Sequence, residues 1–240
     1  MNLNRRLIFI PGLGEDETIF HKIHPSIPGE KVFLNKWVLL ENNPRPGLTV
    51  LQFAQELVDQ FTITREDVLI GHSTGGWVAY HIKHLVHCPI IQIASWTEEH
   101  KVVKPISNRH LIYLFVRKGL YFNPLVKRLL IWGKYRNKPS RKIFSEIFDN
   151  LIKGNKNNVV NQLRLIFNPV KEKIMVKPDL RIHARADSII RVPDQPFHEV
   201  PGDHFSLDTH PEKVYAPIIA FLQVQAGERI KFKQKPFDSL

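Results

Sequence analysis

The sequence has one cysteine, no long apolar run and almost no acidic residue in one large segment. Cys88 is the only cysteine among 240 residues, so the chain cannot form a disulfide within itself. Nothing therefore requires an oxidising compartment, and a single thiol cannot build a thiolate metal site. The twelve histidines show no H-E-x-x-H spacing, and we accordingly predict no metal and no other cofactor.

Segments that would enter or cross a membrane are also missing from the sequence. No stretch approaches the roughly 20 apolar residues that a membrane-spanning helix needs. Near the N-terminus only Leu7–Ile10 are consecutively apolar before Pro11 and Gly12, which is too short for the apolar region of a signal peptide. These absences predict a soluble, cytoplasmic protein.

The charge of the protein is unevenly distributed along the chain. The composition is that of a globular protein, with 43% hydrophobic and 24% charged residues, and the net charge is +11. Residues 101–177 contain 18 basic and three acidic residues, a net charge of +15, and the remainder of the chain has a net charge of −4. The basic character therefore belongs to one segment, which we call the insert (residues 101–177).

Short aliphatic runs alternate with amphipathic stretches on both sides of the insert. This alternation predicts an α/β fold in which a mostly parallel sheet has helices on both faces. The predicted strands are Leu7–Ile10, Val38–Leu40 at the end of a longer extended run, Val68–Ile70, Pro89–Ala94, Leu180–His183 and Phe197–Val200. The predicted helices are Leu48–Phe61, Gly75–Val86 and Pro211–Val224.

The insert has a different pattern from its flanks. Between Asn108 and Phe167, apolar residues recur at three- and four-residue spacings, which predicts helices. We therefore expect an α/β core formed by residues 1–100 and 178–226, with the helical insert between its two parts. Residues 227–240 mix basic and aromatic side chains and are expected to form an extended edge or a loose tail.

The most informative motif is Gly71-His-Ser73-Thr-Gly75, which lies between a predicted strand and a predicted helix. A serine at the tip of such a sharp turn has a strained backbone, and residues two positions either side must lack a Cβ. Gly71 and Gly75 meet that requirement. The helix that begins behind Ser73 would direct its N-terminal amides at an anion forming there.

This segment resembles the nucleophile elbow of the α/β-hydrolase superfamily. The resemblance implies an α/β-hydrolase fold with reduced N-terminal strands, Ser73 as the nucleophile, and an inserted helical cap over the active site. The segment Leu7-Ile-Phe-Ile-Pro11-Gly-Leu13-Gly resembles the strand and oxyanion loop of that superfamily, with Pro11 where histidine is common. The backbone N–H groups of Leu13 and Thr74 are therefore the expected oxyanion hole.

The resemblance also implies that an acid and then a histidine follow the serine in the chain. His204, in Gly-Asp-His after a predicted strand, is the expected base, and His72, His198 and His210 are less suitably placed. Asp187 follows the strand Leu180–His183 and is the expected acid, although Ala184 stands where relatives have a glycine. The alternatives for the acid are Asp203, Glu98 and Glu99.

These residues predict a serine hydrolase that cleaves a carboxylic ester or a related acyl substrate through an acyl-enzyme. The same triad also serves thioester, amide and C–C bond hydrolysis, and an inactive binding protein with this fold is a further alternative. Aromatic residues of the insert either line an acyl pocket or only attach the cap to the core. They are Tyr113, Phe115, Tyr121, Phe122, Trp132 and Phe144.

The positive charge of the insert has three possible roles. It forms a solvated surface, or it attracts anionic substrates or an anionic membrane, or it binds nucleic acid. Arg117, Lys118, Lys127 and Arg128 alternate with bulky apolar residues, as in helices that lie on membranes. No nucleic-acid-binding module is visible, so we expect no nucleic-acid partner.

Overall fold

A parallel sheet lies at the centre of the computed structural model, which describes residues 5–104 and 106–233. Within those residues, six strands pair only in parallel, in the order β2-β1-β3-β4-β5-β6. The strands are Arg6–Ile10 (β1), Glu30–Phe33 (β2), Val68–His72 (β3), Ile90–Ile93 (β4), Leu180–His183 (β5) and His198–Glu199 (β6). The predicted parallel sheet is confirmed.

The central strands are buried on both faces. Every residue of β3 and β4 is buried, and so are Leu7–Ile10 of β1. Because alternate side chains point to opposite faces, such strands must be covered on both sides. The helices of the described residues are Lys36–Leu39 (α1), Val50–Phe61 (α2), Thr74–Val86 (α3), Arg109–Arg117 (α4), Pro124–Leu130 (α5), Arg141–Lys153 (α6), Lys156–Phe167 (α7), Ser206–Thr209 (α8) and Pro211–Lys233 (α9).

Local sequence signals explain where several helices begin. Thr49 and Gln52 form a capping box at the start of α2, in which each side chain bonds the other residue's backbone. Asn108, Asn123 and Asn155 accept backbone N–H groups at the starts of α4, α5 and α7. The predicted helical character of the insert is therefore confirmed, and Ile131–Tyr135 extends α5 by a π-helical turn.

The strand predicted at Val38–Leu40 is wrong. The second strand is Glu30–Phe33, and residues Lys36–Leu39 form a short helix. Asn35 caps that helix by accepting the N–H of Trp37, and this local hydrogen bond overrides the β-propensity of the aliphatic run. Val38 is 77% exposed, as expected for the outer side of a surface helix and not for a central strand.

The final helix is longer than the apolar pattern indicates. It continues to Lys233, so the prediction of an extended edge or loose tail is wrong for residues 227–233. Residues 234–240 lie outside the described part of the chain. None of the helices that the structure describes is both long and apolar enough to span a membrane.

Polar side chains of α7 fasten the insert to the core. Asn158 donates to the carbonyl groups of Trp37 and Leu40, and Asn168 donates to that of Leu48. The indole of Trp77 on α3 in turn donates to the α7 backbone over 2.8 Å. These buried hydrogen bonds hold the insert in one place over the core.

Candidate active site

Ser73 lies at a strained turn between β3 and α3. Its backbone has φ 50° and ψ −120°, a conformation that L-residues rarely adopt, and its side chain is almost completely buried. A Cβ at Gly75 would lie 1.8 Å from the carbonyl oxygen of Ile10, and one at Gly71 would lie 2.3 Å from the nitrogen of Gly76. Both glycines are therefore required by close backbone approach, as the motif predicts.

Two backbone N–H groups beside Ser73 have no protein acceptor within residues 5–104 and 106–233. They belong to Leu13, in the loop after β1, and to Thr74, the first residue of α3, and both residues line the cavity next to Ser73. The neighbouring amides are occupied, because Gly12 donates to Glu15 and Gly14 donates to Gln162. The geometry thus leaves free the two donors that the sequence indicated.

His204 and Asp187 form a buried pair near the carboxyl ends of β6 and β5. His204 Nδ1 lies 2.7 Å from Asp187 Oδ2, and both side chains are almost inaccessible to solvent. The other oxygen of Asp187 accepts the N–H groups of Ile189 and Ile190 at 2.7 and 2.9 Å. The carboxylate is therefore fixed in the position that orients the imidazole.

Burial and charge act in opposite directions on this pair. Burial alone would lower the pKa of His204, but the charge and hydrogen bond of Asp187, together with the charges of Glu15 and Asp203, raise that pKa above its ordinary value. Burial alone would raise the pKa of Asp187, but His204 and the bound amides hold it below its ordinary value. The arrangement consequently favours a carboxylate beside an imidazole that readily accepts a proton.

Ser73 and His204 line the same cavity but are not joined by a hydrogen bond. Within the described residues, the Ser73 hydroxyl makes no hydrogen bond to the imidazole of His204. Hydrogen bonds between a nucleophile and its base are often long before substrate binds. The structure therefore brings Ser73, His204 and Asp187 to one place and forms directly only the contact between the last two.

The other candidates from the sequence have different partners. Asp203 accepts the hydroxyl of Ser140 at 2.6 Å and lies near Lys138, so it faces away from the imidazole of His204. His198 lies in the exposed strand β6, and His210 contacts Thr209. Glu98 and Glu99 lie at the start of a 3₁₀ turn, where no hydrogen bond to His204 joins them within the described chain.

A buried glutamate is the main feature of the site that sequence reasoning missed. Glu15 Oε2 lies 2.8 Å from Nδ1 of His72 and accepts the N–H of Gly12 at 2.5 Å. Nε2 of His72 lies 2.9 Å from the backbone carbonyl oxygen of His204. Glu15 lies in the expected oxyanion loop, but an acid in a loop is ordinarily solvated, so the sequence offered no signal for this contact.

A mostly apolar cavity of about 310 Å³ opens above Ser73. Its lining combines the core with the insert, and Tyr121, Phe122 and Phe144 are among the insert residues, as one of the two alternatives predicted. Tyr113 instead donates its hydroxyl to Asn168, Phe115 is only half-buried, and Trp132 is 69% exposed. The other apolar residues of the lining include Leu13, Trp96, Phe148, Leu163 and Phe205.

The part of the chain that the structure describes contains no candidate metal site. No group of three or more histidine, cysteine, aspartate or glutamate residues there has a geometry that could hold a metal ion. The single thiol, Cys88, is buried, and burial raises its pKa to about 12.

Comparisons with known proteins identify the fold. No family model matches the sequence, and no curated protein matches it. An esterase from Thermogutta terrifontis, solved with malate bound, has a TM-score of 0.69 at 16% identity over 93% of this chain and 91% of its own. An enol-lactonase from Burkholderia xenovorans has a TM-score of 0.71 at 14% identity over 92% of both chains.

A third similar structure is an esterase from Exiguobacterium antarcticum, with a TM-score of 0.68 at 10% identity over 93% of both chains. These similarities extend over nearly the whole chain and include the parallel sheet and the helices of the insert. The chain therefore has the α/β-hydrolase fold.

Proposed function

We propose that the protein is a serine hydrolase that cleaves carboxylic esters through an acyl-enzyme. One observation supports this most directly: a strained serine, a buried histidine–aspartate pair and two free amides surround the same end of an apolar cavity. Two of the similar structures are esterases and one is an enol-lactonase, which agrees with this chemistry. The insert would act as the cap of the active site.

In the first half-reaction, Ser73 Oγ attacks the ester carbonyl carbon while Nε2 of His204 takes the hydroxyl proton. The C=O electron pair moves onto the carbonyl oxygen, which becomes an oxyanion. Asp187 stabilises the imidazolium that forms. The carbon–oxygen bond to the alcohol then breaks, and the imidazolium gives its proton to the departing alkoxide, which leaves an acyl group on Ser73.

In the second half-reaction, water takes the place of the alcohol. His204 removes a proton from that water, the resulting hydroxide attacks the acyl carbon, and the bond to Ser73 breaks. The proton returns to Ser73 Oγ and the carboxylic acid is released. In both half-reactions the amides of Leu13 and Thr74 would donate to the oxyanion, a preorganised contact worth roughly 3 kcal/mol of barrier per donor.

The cavity favours a small apolar acyl or alcohol group. Its volume of about 310 Å³ is at the lower end of the range of ligand pockets, roughly 300–1,000 Å³. The lining is mainly aliphatic and aromatic, so substrate binding would be driven by burial of apolar surface. Phe148 and Leu163, both from the insert, would limit the length of the group that fits.

A graded panel of p-nitrophenyl esters tests the proposal. We expect measurable hydrolysis of short-chain esters and a fall in kcat/KM once the acyl chain exceeds the cavity. Replacing Phe148 with alanine should move the preferred chain length upward, because it removes a large side chain from the cavity wall. Replacing exposed Leu111, on the outer side of α4, is the matched control and should leave the preference unchanged.

Adding lactones, thioesters and amides to the panel distinguishes the alternatives. Turnover of thioesters with none of esters would keep the triad and change the substrate class. No turnover of esters, lactones, thioesters or amides, together with no labelling by a fluorophosphonate probe, would contradict the proposal and favour a binding protein.

A further inference from the structure

The most basic part of the insert contains no acidic residue at all. Residues 117–145 include nine basic residues. They are Arg117, Lys118, Lys127, Arg128, Lys134, Arg136, Lys138, Arg141 and Lys142. Three of them have acidic partners: Lys127 pairs with Asp149, Lys138 with Asp203, and Lys142 with Glu146. The other six make no ion pair within the described residues, so their charge faces solvent.

Large apolar side chains are exposed in the same stretch. Leu125, Leu129 and Trp132 are 66%, 59% and 69% exposed, and Leu120 is 61% exposed. Leu125 and Leu129 are four residues apart, and Trp132 follows after three, so they lie on one side of α5 and its π-helical extension. Such contiguous apolar exposure is uncommon on a soluble monomer and indicates a binding surface.

The opposite side of the same helical stretch faces the cavity. Leu130 and Lys134 belong to the cavity lining, although Lys134 is also exposed to solvent. The helical stretch therefore has two different sides: one lines the cavity, and the other presents Leu125, Leu129 and Trp132 to solvent.

Exposed leucines beside unpaired cations fit a lipid surface better than a nucleic acid. A helix at a membrane interface inserts leucine and tryptophan between acyl chains while lysine and arginine contact anionic headgroups. Proteins that bind single-stranded nucleic acid use aromatic side chains on which bases stack, and leucine offers no such surface. Within this stretch Trp132 alone is an exposed large aromatic residue of the described chain.

We propose that this surface docks on an anionic lipid bilayer. The docking surface consists of Leu120, Leu125, Leu129 and Trp132, flanked by Lys118 and Arg128. The docked protein would then hydrolyse esters that are dissolved in the membrane. Only this last step depends on the proposed function, because docking itself requires no catalysis.

The test measures binding of the inactive Ser73→Ala protein to vesicles. We expect co-sedimentation with vesicles that contain phosphatidylcholine and phosphatidylglycerol, and much less with phosphatidylcholine alone. Each cation removed in Lys118→Gln or Arg128→Gln should weaken binding roughly fivefold. Of the four tryptophans in the chain, Trp132 is the exposed one, so the emission maximum of its fluorescence should shift to the blue as it enters lipid.

Two matched controls separate docking from general adhesion. Leu125→Ser/Leu129→Ser should abolish binding, whereas Val38→Ser, an equally exposed aliphatic residue on α1, should not. Lys171→Gln/Lys173→Gln removes two exposed cations outside the docking surface and should have little effect. Equal, negligible binding to both vesicle types, or binding to an oligonucleotide but not to vesicles, would overturn the proposal.

Vesicle binding and ester hydrolysis can be tested independently of each other. Leu125→Ser/Leu129→Ser in the Ser73 background should hydrolyse a soluble short-chain ester as the unchanged protein does, because neither leucine lines the cavity. Vesicle binding without ester hydrolysis would refute the esterase and leave the docking surface standing. Ester hydrolysis without vesicle binding would refute the docking surface and leave the esterase standing.

The contact between Glu15, His72 and His204 supports a second, independent inference. The carbonyl oxygen of His204 and the carboxylate of Glu15 can only accept, so Nε2 of His72 donates to the first and Nδ1 of His72 donates to the second. The rings of His72 and His204 are 5.0 Å apart. We propose that Glu15 and His72 position His204 through its backbone, and that the Glu15 carboxylate also stabilises the imidazolium formed during the reaction.

Several charged or titratable groups surround His204, and their effects differ. Asp187, Glu15 and Asp203 each raise its pKa, and burial lowers it. His72 and His183 are the neighbouring imidazoles, and burial lowers the pKa of His183. Burial would raise the pKa of Glu15, but His72, His204 and the N–H of Gly12 together hold it below the ordinary value. Lys36 on α1 is a further charged group near Glu15, and burial lowers its pKa to about 7.

The pH dependence of kcat/KM tests this second inference. The base must be neutral to accept a proton, so activity should rise with pH through an acid limb above about pH 6.5, the ordinary pKa of histidine. Glu15→Gln keeps the shape and removes the charge, so the limb should move to lower pH. Glu17→Gln, the same change at an exposed residue nearby, should leave the limb in place.

Two measurements keep this test decisive. Glu15→Asp retains the charge and should retain the position of the limb even where the rate falls. Thermal unfolding of each variant shows whether the fold is intact. A fall in rate with no movement of the limb in folded Glu15→Gln would mean that Glu15 only supports the structure, and the electrostatic role would be wrong.

Discussion

Replacing Ser73 with alanine is expected to lower kcat for ester hydrolysis by roughly 10⁵- to 10⁶-fold. Without the hydroxyl there is no acyl-enzyme, and the neighbouring amides and His204 can at most polarise a bound ester for attack by water. Labelling by a fluorophosphonate probe should disappear in parallel, and mass spectrometry of the intact protein would show the missing adduct. The fold should persist, because the Ser73 side chain does not cap α3 and alanine therefore loses no capping hydrogen bond.

A second serine in the same cavity provides the matched control. Ser188 lines the cavity but is not at a strained turn. Ser188→Ala should therefore keep both turnover and labelling. Labelling that survives in Ser73→Ala and disappears in Ser188→Ala would show that Ser188, and not Ser73, is the nucleophile.

Replacing Asp187 with asparagine is expected to lower kcat by roughly 10³- to 10⁴-fold. The amide would preserve the shape of the side chain but would no longer stabilise the imidazolium, and it would favour the wrong tautomer of His204. The acid limb of the pH profile should also move to lower pH, because Asp187 is the main charge that raises the pKa of His204. Both quantities follow from kcat/KM measured across pH.

Asp203→Asn is the control for this prediction, since Asp203 adjoins His204 in the chain and was an alternative acid. Its carboxylate bonds Ser140 and the N–H of Phe205, and its nearest cation is Lys138. We expect a much smaller loss of activity than in Asp187→Asn. An equal or larger loss in Asp203→Asn would transfer the role of the acid to Asp203.

The features that the sequence predicted correctly are each set by residues that are close together in the chain. The turn at Ser73 is recognisable because Gly71 and Gly75 must lack a Cβ for reasons that involve the adjoining strand and helix. The parallel sheet is recognisable because its central strands are buried on both faces and are therefore continuously apolar. In both cases a local pattern reports a local physical requirement.

The secondary-structure predictions were wrong where a local pattern is compatible with two kinds of structure. Val38–Leu40 has the aliphatic composition of a strand, but the cap at Asn35 and the exposure of Val38 belong to a helix. The last helix extends through Gly227, although its apolar periodicity ends earlier. Side-chain preferences alone do not decide either case. The two alternative structures differ in free energy by about as much as one helix cap or one side-chain contact contributes.

The sequence alone determined the fold class, the strained serine and the distribution of charge, because each is encoded by residues close together in the chain. Only the tertiary structure decided that Asp187 and not Asp203 meets His204, that Glu15 reaches His72, and that the insert closes a cavity. Glu15 and His72 are 57 positions apart, and His72 and the carbonyl group of His204 that it contacts are 132 positions apart. These contacts form because parallel strands end at one edge of the sheet, and sequence distance along the chain does not reveal which loops meet there.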